Sequence, residues 1–174
     1  SSCFSDVEVV IHLAGEGIAD KYWTKSRKKR LWDSRVIGTK NLISAILRLP
    51  ESSRPKTFIS GSAIGIYGSD NEPKTEKSKL GSGFLAALCK AWENEAQSAQ
   101  SNGIRTVILR TGLVLSRGGG VLAKSGPVIL GSGKQWMSWI HIDDMVSFIL
   151  HSIKSPQMSG PYNLTAPNPV TNSE

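Results

Sequence analysis

Three short apolar runs rich in β-branched residues punctuate the chain: "VEVVIHL" (7–13), "KTFIS" (56–60) and "IRTVILR" (104–110). None of them alternates apolar with polar residues, so each reads as a strand buried on both faces. Long helical patterns lie between them. One spans roughly Ser26 to Leu49, with Leu42, Ile46 and Leu49 on one stripe, and the Pro50 and "ESSRP" cluster ends it. A second covers 84–103, with Gly103 as its C-terminal stop, and a third covers 143–153. A further strand-like stretch, "PYNL", occupies 161–164. Strands that alternate with long helices must pair in parallel through right-handed crossovers, which predicts an α/β doubly wound parallel sheet.

The 174 residues suffice for one ordinary domain with a real core. No apolar run reaches membrane-spanning length, and the opening "SSCFSDVEVV" lacks the basic start and apolar stretch of a signal peptide. Cys3 and Cys89 have no metal-ligand spacing and suggest no disulfide framework, so the cytoplasm is the expected compartment. His141, Asp143 and Asp144 lack a third well-spaced ligand, so no metal site is predicted. An Asp is expected to cap the helix near Met145, with His141 buried and hydrogen-bonded locally.

The formal net charge is +7, and much of it lies in "KYWTKSRKKR" (21–30), flanked by Trp23 and Trp32. That run reads as a solvated helix start. With no nucleic-acid module in the chain, a nucleotide phosphate is the more economical use of the charge.

Both ends suggest a longer protein. "TNSE" (171–174) is a capping box that announces a helix, and the chain opens almost directly on a buried strand. No Gly-rich dinucleotide fingerprint follows a strand and opens a helix. Residues are also expected to be missing between Lys124 and Pro127.

The motifs "VVIHLAG" (9–15), "SRVIGTKNLISAI" (34–46), "FISGSAIGIYG" (58–68), "VILRTGLVLSRGGG" (107–120) and "WIHIDDMVSFIL" (139–150) stand in the order of the extended short-chain dehydrogenases/reductases. "GSGKQWMSWIHIDD" (131–144) and "APNPVTNSE" (166–174) resemble its atypical epimerase/dehydratase-like branch, sometimes labelled cell-division inhibitor. The resemblance implies a Rossmann-like fold that binds NADP(H) or NAD(H), here lacking its N-terminal part. Residues 1–124 would be an incomplete dinucleotide-binding domain. Residues 125–174 would be part of a small C-terminal substrate lobe, interleaved with the last Rossmann elements at 139–154.

Leu13, Ala14 and Gly15 end the first strand at the carboxyl edge, where open α/β sheets bind ligands, and small residues there let a nucleotide approach the backbone. Arg35 stands where classical members carry asparagine, and its fork of donors could pair with phosphate or ribose oxygens. Gly38 predicts a close-packed helix that brings Arg35 near the sheet. By resemblance, Ser60 also contacts the cofactor, and Leu113 and Val114 belong to a loop over its nicotinamide end.

Ser62 corresponds to the serine that hydrogen-bonds the substrate's reacting oxygen in the larger family. The tyrosine and lysine that normally accompany it are replaced by Leu85 and Cys89, with Lys90 turned about 100° away around the helix. Tyr67 is the remaining candidate proton donor, a poor one unless a cation lies beside it. Trp136 and Trp139 either wall the substrate pocket or pack the lobe. Three functions stay open: an NADP(H)-binding oxidoreductase or epimerase acting on a small molecule of unknown identity; an inactive nucleotide-binding regulator; and, more weakly, a basic nucleic-acid or partner-binding protein. The oligomeric state, including a homodimer, stays open with them.

Overall fold

The computed structural model describes residues 4, 6–18, 21–69, 71–116, 118–120 and 132–173. Its centre is a four-stranded sheet of β1 (Val9–His12), β2 (Thr57–Ala63), β3 (Arg105–Thr111) and β8 (Gly160–Leu164) in the order β1-β2-β3-β8. Every neighbouring pair is parallel. The four predicted runs are therefore the four strands, and β2 runs on three residues past its predicted end.

Both faces of β2 and β3 are covered, which is why those runs carry no polar alternation. Strand β1, expected to be buried on both faces, is not: Ile11 is 46% exposed and its neighbours are half-buried. On one face Phe58 and Ile108 pack with Ile43 and Ile46 of helix α2 (Gly38–Leu47) and with Ala96 and Ala99 of helix α3 (Phe84–Gln100). On the other, Ile59, Val107 and Leu109 pack with Met145, Phe148 and Ile149 of helix α4 (Ile142–Lys154). Large side chains such as Phe58, Ile59 and Ile108 are wholly removed from water. Each such burial contributes about 1.5–3 kcal/mol.

The predicted helix Ser26–Leu49 is interrupted. Helix α1 (Lys25–Trp32) passes into a π-helical stretch, Asp33–Ile37, before α2 resumes at Gly38. The periodicity of the apolar stripe does not reveal such a one-turn widening, which often marks functional segments. The packing reason expected for Gly38 is absent. A Cβ there would meet only the Asp33 carbonyl oxygen, at an ordinary 3.8 Å.

Gly103 does end α3 as expected, with a positive φ of 82°. The start of α4 differs from expectation. The N-cap is His141 itself, exposed, with Nδ1 accepting from the Asp143 backbone N–H at 3.3 Å, and the two aspartates occupy the first turn. Carboxylates there complement the positive end of the helix dipole.

Two small sheets lie beyond the carboxyl edge. Strand β4 (Leu113–Ser116) pairs with β5 (Gly119–Gly120) and with β7 (Trp139–His141), and β6 (Trp136–Met137) pairs with β9 (Val170–Thr171). A Cβ on Gly112 would fall 2.5 Å from the Ser138 carbonyl oxygen, so only glycine allows that crossing. Thr171 therefore lies in a strand and not at a helix start. Glu174, the other half of the predicted capping box, and the expected break near Lys124 lie outside the described residues. Among the described residues no helix is long and apolar enough to cross a membrane.

Candidate functional site

Residues 13–17 leave β1 at the carboxyl edge of the sheet with Leu13, Ala14 and Gly15 exposed. Above them the π-helical stretch presents Arg35. Its guanidinium carbon lies only 3.0 Å from where a Cβ on Gly15 would stand, so any side chain at position 15 would displace it. The same carbon sits 5.4 Å from the centre of the Trp92 ring, in a cation–π arrangement. The Trp92 indole in turn reaches within 2.9 Å of a Cβ position on Gly61. Two glycines thus bracket an arginine–tryptophan stack.

Arg35 makes no ion pair among the described residues, and its one hydrogen bond, to Ser34 Oγ, is a long 3.4 Å. Burial lowers its pKa, but arginine stays charged at neutral pH. A half-buried cation with donors to spare faces the edge where this kind of sheet takes ligands. The indole N–H of Trp92 is buried without a partner among the described residues.

The other predicted contacts are placed differently. Ser60 is fully buried, and its hydroxyl donates to the Gly61 carbonyl at 3.1 Å. Val114 packs into the core beneath α4, while Leu113 pairs with Trp139 between the two small-sheet strands. Lys90 is exposed, as its helix register predicts. Cys89 is buried, and burial together with Glu93 pushes its thiol up to about 11, so it supplies no charge where the lysine would be.

Ser62 and Tyr67 belong to one buried network. Ser62, Arg110 and Asn163 are register partners across β2, β3 and β8. Ser62 Oγ donates to Glu93 Oε1 at 2.6 Å. Arg110 grips the same carboxylate with two bonds, Nε to Oε1 at 2.9 Å and Nη2 to Oε2 at 2.8 Å. Its Nη1 donates to the Tyr67 hydroxyl at 2.8 Å, and that hydroxyl donates to Asn163 Oδ1 at 2.6 Å. The 3₁₀ turn Ile64–Tyr67 carries the tyrosine into this position. Glu93 holds the Arg110 proton firmly, and Tyr67 adds to it.

Tyr67 therefore does have a cation beside it, contrary to the expectation of an unassisted tyrosine. Residues far apart in the chain supply it, and no spacing rule connects position 110 with position 67. Trp92 also escaped the sequence reading. Its only signal was its place beside Glu93.

An adjoining cavity of about 640 Å³ lies between the 64–74 segment and the small sheets, with Tyr67, Asn71, Trp136, Ser138, Asn163 and Thr165 in its wall. Trp136, 52% exposed, faces this space, and Trp139 packs within the three-stranded sheet. A concave site of this size with an aromatic wall and several amide and hydroxyl groups suits a small polar molecule.

A parallel sheet with helices on both faces, and an exposed carboxyl edge beside a half-buried arginine, define an α/β protein of the Rossmann-like class. The chain belongs to the NAD dependent epimerase/dehydratase family, whose model matches residues 2–165. It is 41% identical over 178 residues to an epimerase family protein of Mycobacterium bovis, an alignment covering 98% of this chain and 58% of that one. The chain thus spans a little over half the length of the curated relatives it matches. The crystal structure of a nucleoside-diphosphate sugar epimerase from Corynebacterium glutamicum is 40% identical, with a TM-score of 0.80, over 95% of this chain and 36% of that chain. Human epimerase family protein SDR39U1, solved with NADPH, is 29% identical with a TM-score of 0.86, over 95% of this chain and 59% of that one.

Proposed function

We propose that the whole protein binds NADP(H), in preference to NAD(H), and acts as an oxidoreductase or epimerase on a small molecule. The observation that carries this reading is Arg35: a half-buried guanidinium, stacked on Trp92 against Gly15, with no ion pair among the described residues. Phosphate or ribose oxygens of a dinucleotide would meet those donors. The exposed backbone of Leu13, Ala14 and Gly15 would lie along the cofactor, and Leu113 and Val114 near its nicotinamide end. The human relative solved with NADPH supports this choice of cofactor. When bound, the cofactor supplies hydride transfer.

The chain's own groups would position the substrate. Ser62 and Tyr67 are the proposed hydroxyls, Arg110 and Glu93 hold them in place, and the cavity beside Trp136 takes the substrate. In this reading residues 1–124 form the dinucleotide-binding unit, and 125–174 contribute to the substrate lobe. Calorimetry of the full-length protein with NADPH and NADH, wild type against Arg35→Ala, tests the cofactor assignment. NADPH affinity unaffected by the substitution would remove Arg35 from the site.

One observation favours a second reading, a nucleotide-binding regulator without turnover. Leu85 and the neutral Cys89 stand where the family's proton-transfer pair would be, and the Ser62 hydroxyl is already engaged by Glu93. NADPH consumption with a panel of carbonyl compounds separates the two, since a regulator would bind NADPH and oxidise none of it.

A further inference from the structure

The first turn of α1 contains Lys25, Arg27 and Lys28 and no acid. Cations at a helix N-terminus oppose the helix dipole, and carboxylates are the side chains that belong there. Proteins that break such a local rule commonly do so at a functional site.

The cations are also organised. Glu16 Oε1 accepts from both Arg27 Nη1 and Arg30 Nη2, the latter at 3.0 Å, so one carboxylate oxygen pins two guanidiniums side by side. Arg27 Nη2 is tied to the Gly17 carbonyl. The Arg27 backbone N–H donates to the Thr24 hydroxyl, which caps the helix. Arg27 is only 4% exposed, and its Nε is buried with no partner among the described residues.

Beside these residues lies an open cavity of about 880 Å³, in whose wall stand Lys21, Tyr22, Trp23, Ser26, Arg27 and Arg30. Among the described residues of its wall three are cations, and the Glu16 carboxylate that holds both arginines offsets one of those charges. Tyr22 is 95% exposed, while the Trp23 ring is fixed by its N–H to the Ile18 carbonyl and by an edge contact with Phe84. The Tyr22 ring therefore offers a free face beside the cations, on which a flat ring can stack.

We propose that this cavity binds a small molecule carrying a phosphate beside a flat ring, with Lys21 and Arg30 on the phosphate, Tyr22 against the ring, and the buried Arg27 holding the wall in place. Its size fits a small molecule better than a polymer. The inference stands apart from the cofactor reading, because Arg35 is not in this cavity's wall.

The test is a calorimetric titration of the full-length protein with phenyl phosphate, with inorganic phosphate and phenol as single-feature controls. The variants are Lys21→Gln, Arg30→Gln and Tyr22→Ser, all at surface side chains whose loss leaves the core intact. Phenyl phosphate should bind about tenfold tighter than either control. Each lysine or arginine variant should weaken it by about fivefold to tenfold, and Tyr22→Ser should reduce it to the level of phosphate alone. Phenyl phosphate binding no tighter than phosphate, or unmoved by all three variants, would overturn the proposal. So would displacement by NADPH that Arg35→Ala abolishes, since the cations would then serve the cofactor. Displacement by a single-stranded oligonucleotide whose own binding is lost in the same variants would assign the patch to nucleic acid instead.

Discussion

The Ser62 hydroxyl donates a hydrogen bond to Glu93 Oε1 at 2.6 Å, inside the body of the protein. The serine oxygen can therefore accept a bond from a ligand, but it donates one only by letting Glu93 go. Ser62→Ala leaves Glu93 with the two bonds from Arg110, so the carboxylate stays satisfied. The fold should lose about 1.5–3 kcal/mol, the range for a hydrogen bond to a charged group. Turnover, where a substrate is found, should fall further in Ser62→Ala than in Lys90→Ala, because Lys90 is exposed. Urea denaturation and NADPH consumption of both variants check this. A larger loss of turnover in Lys90→Ala would mean that a lysine-assisted step exists.

Breaking the Glu93–Arg110 pair should be costlier. Both side chains are about 95% buried, and removing one partner leaves the other charge stranded. Glu93→Gln should destabilise the protein by about 3–5 kcal/mol. It should also loosen Tyr67, since Arg110 Nη1 would no longer be held against the phenol. Thermal unfolding with near-ultraviolet circular dichroism reads both effects. A variant as stable as the wild type would show that the network contributes nothing to the fold.

Arg35 and its two flanking glycines predict a separation of binding from stability. Arg35→Ala should weaken NADPH binding by about 1.5–3 kcal/mol, as for loss of a charge-assisted bond, while changing stability by about 1 kcal/mol or less. Gly15→Ala would displace the far end of a flexible arginine and so affect chiefly affinity. Gly61→Ala would press on the rigid Trp92 indole at 2.9 Å and so affect chiefly stability. Calorimetry paired with denaturation on the three variants distinguishes these. Equal effects of both glycine variants on affinity and stability would contradict the stacked arrangement.

The Cys89 thiol titrates at about 11 in the fold, against 9.0 when unperturbed. Between these values the folded chain holds a proton that the unfolded chain has lost. Stability from this group is therefore complete below pH 9 and declines as pH rises towards 11, by about 2–3 kcal/mol in all. Urea unfolding at pH 8 and pH 10.5, compared with Cys89→Ala, should show this slope in the wild type and its loss in the variant. Native Cys89 should also resist alkylation at pH 8, where a thiol of ordinary pKa reacts readily.

The sheet was legible in the sequence because strands stand out as uninterrupted β-branched apolar runs separated by helical stripes, although only β2 and β3 are buried on both faces and Ile11 of β1 is exposed. The place of Leu13 to Gly15 at the carboxyl edge follows from where a parallel strand must end, whereas Arg35 was expected near the sheet by resemblance and by a close packing at Gly38 that the structure lacks. Gly103 ended its helix by a rule that needs only local backbone geometry.

Other features depended on partners distant along the chain. The cap of α4 went to His141 and not to an Asp, and a Cβ at Gly38 would meet only ordinary contact, at 3.8 Å from the Asp33 carbonyl. Trp92 met Arg35 only because α3 packs across the π segment. Arg110 met Tyr67 and Glu93 only because β3 sets position 110 level with Ser62 and Asn163. By itself, then, the chain determined its layers and the edge where a ligand would sit, since both are consequences of local periodicity. Tertiary structure alone decided which charge stands beside which hydroxyl, because those contacts join residues up to 96 positions apart, from Tyr67 to Asn163, and packing is what brings them together.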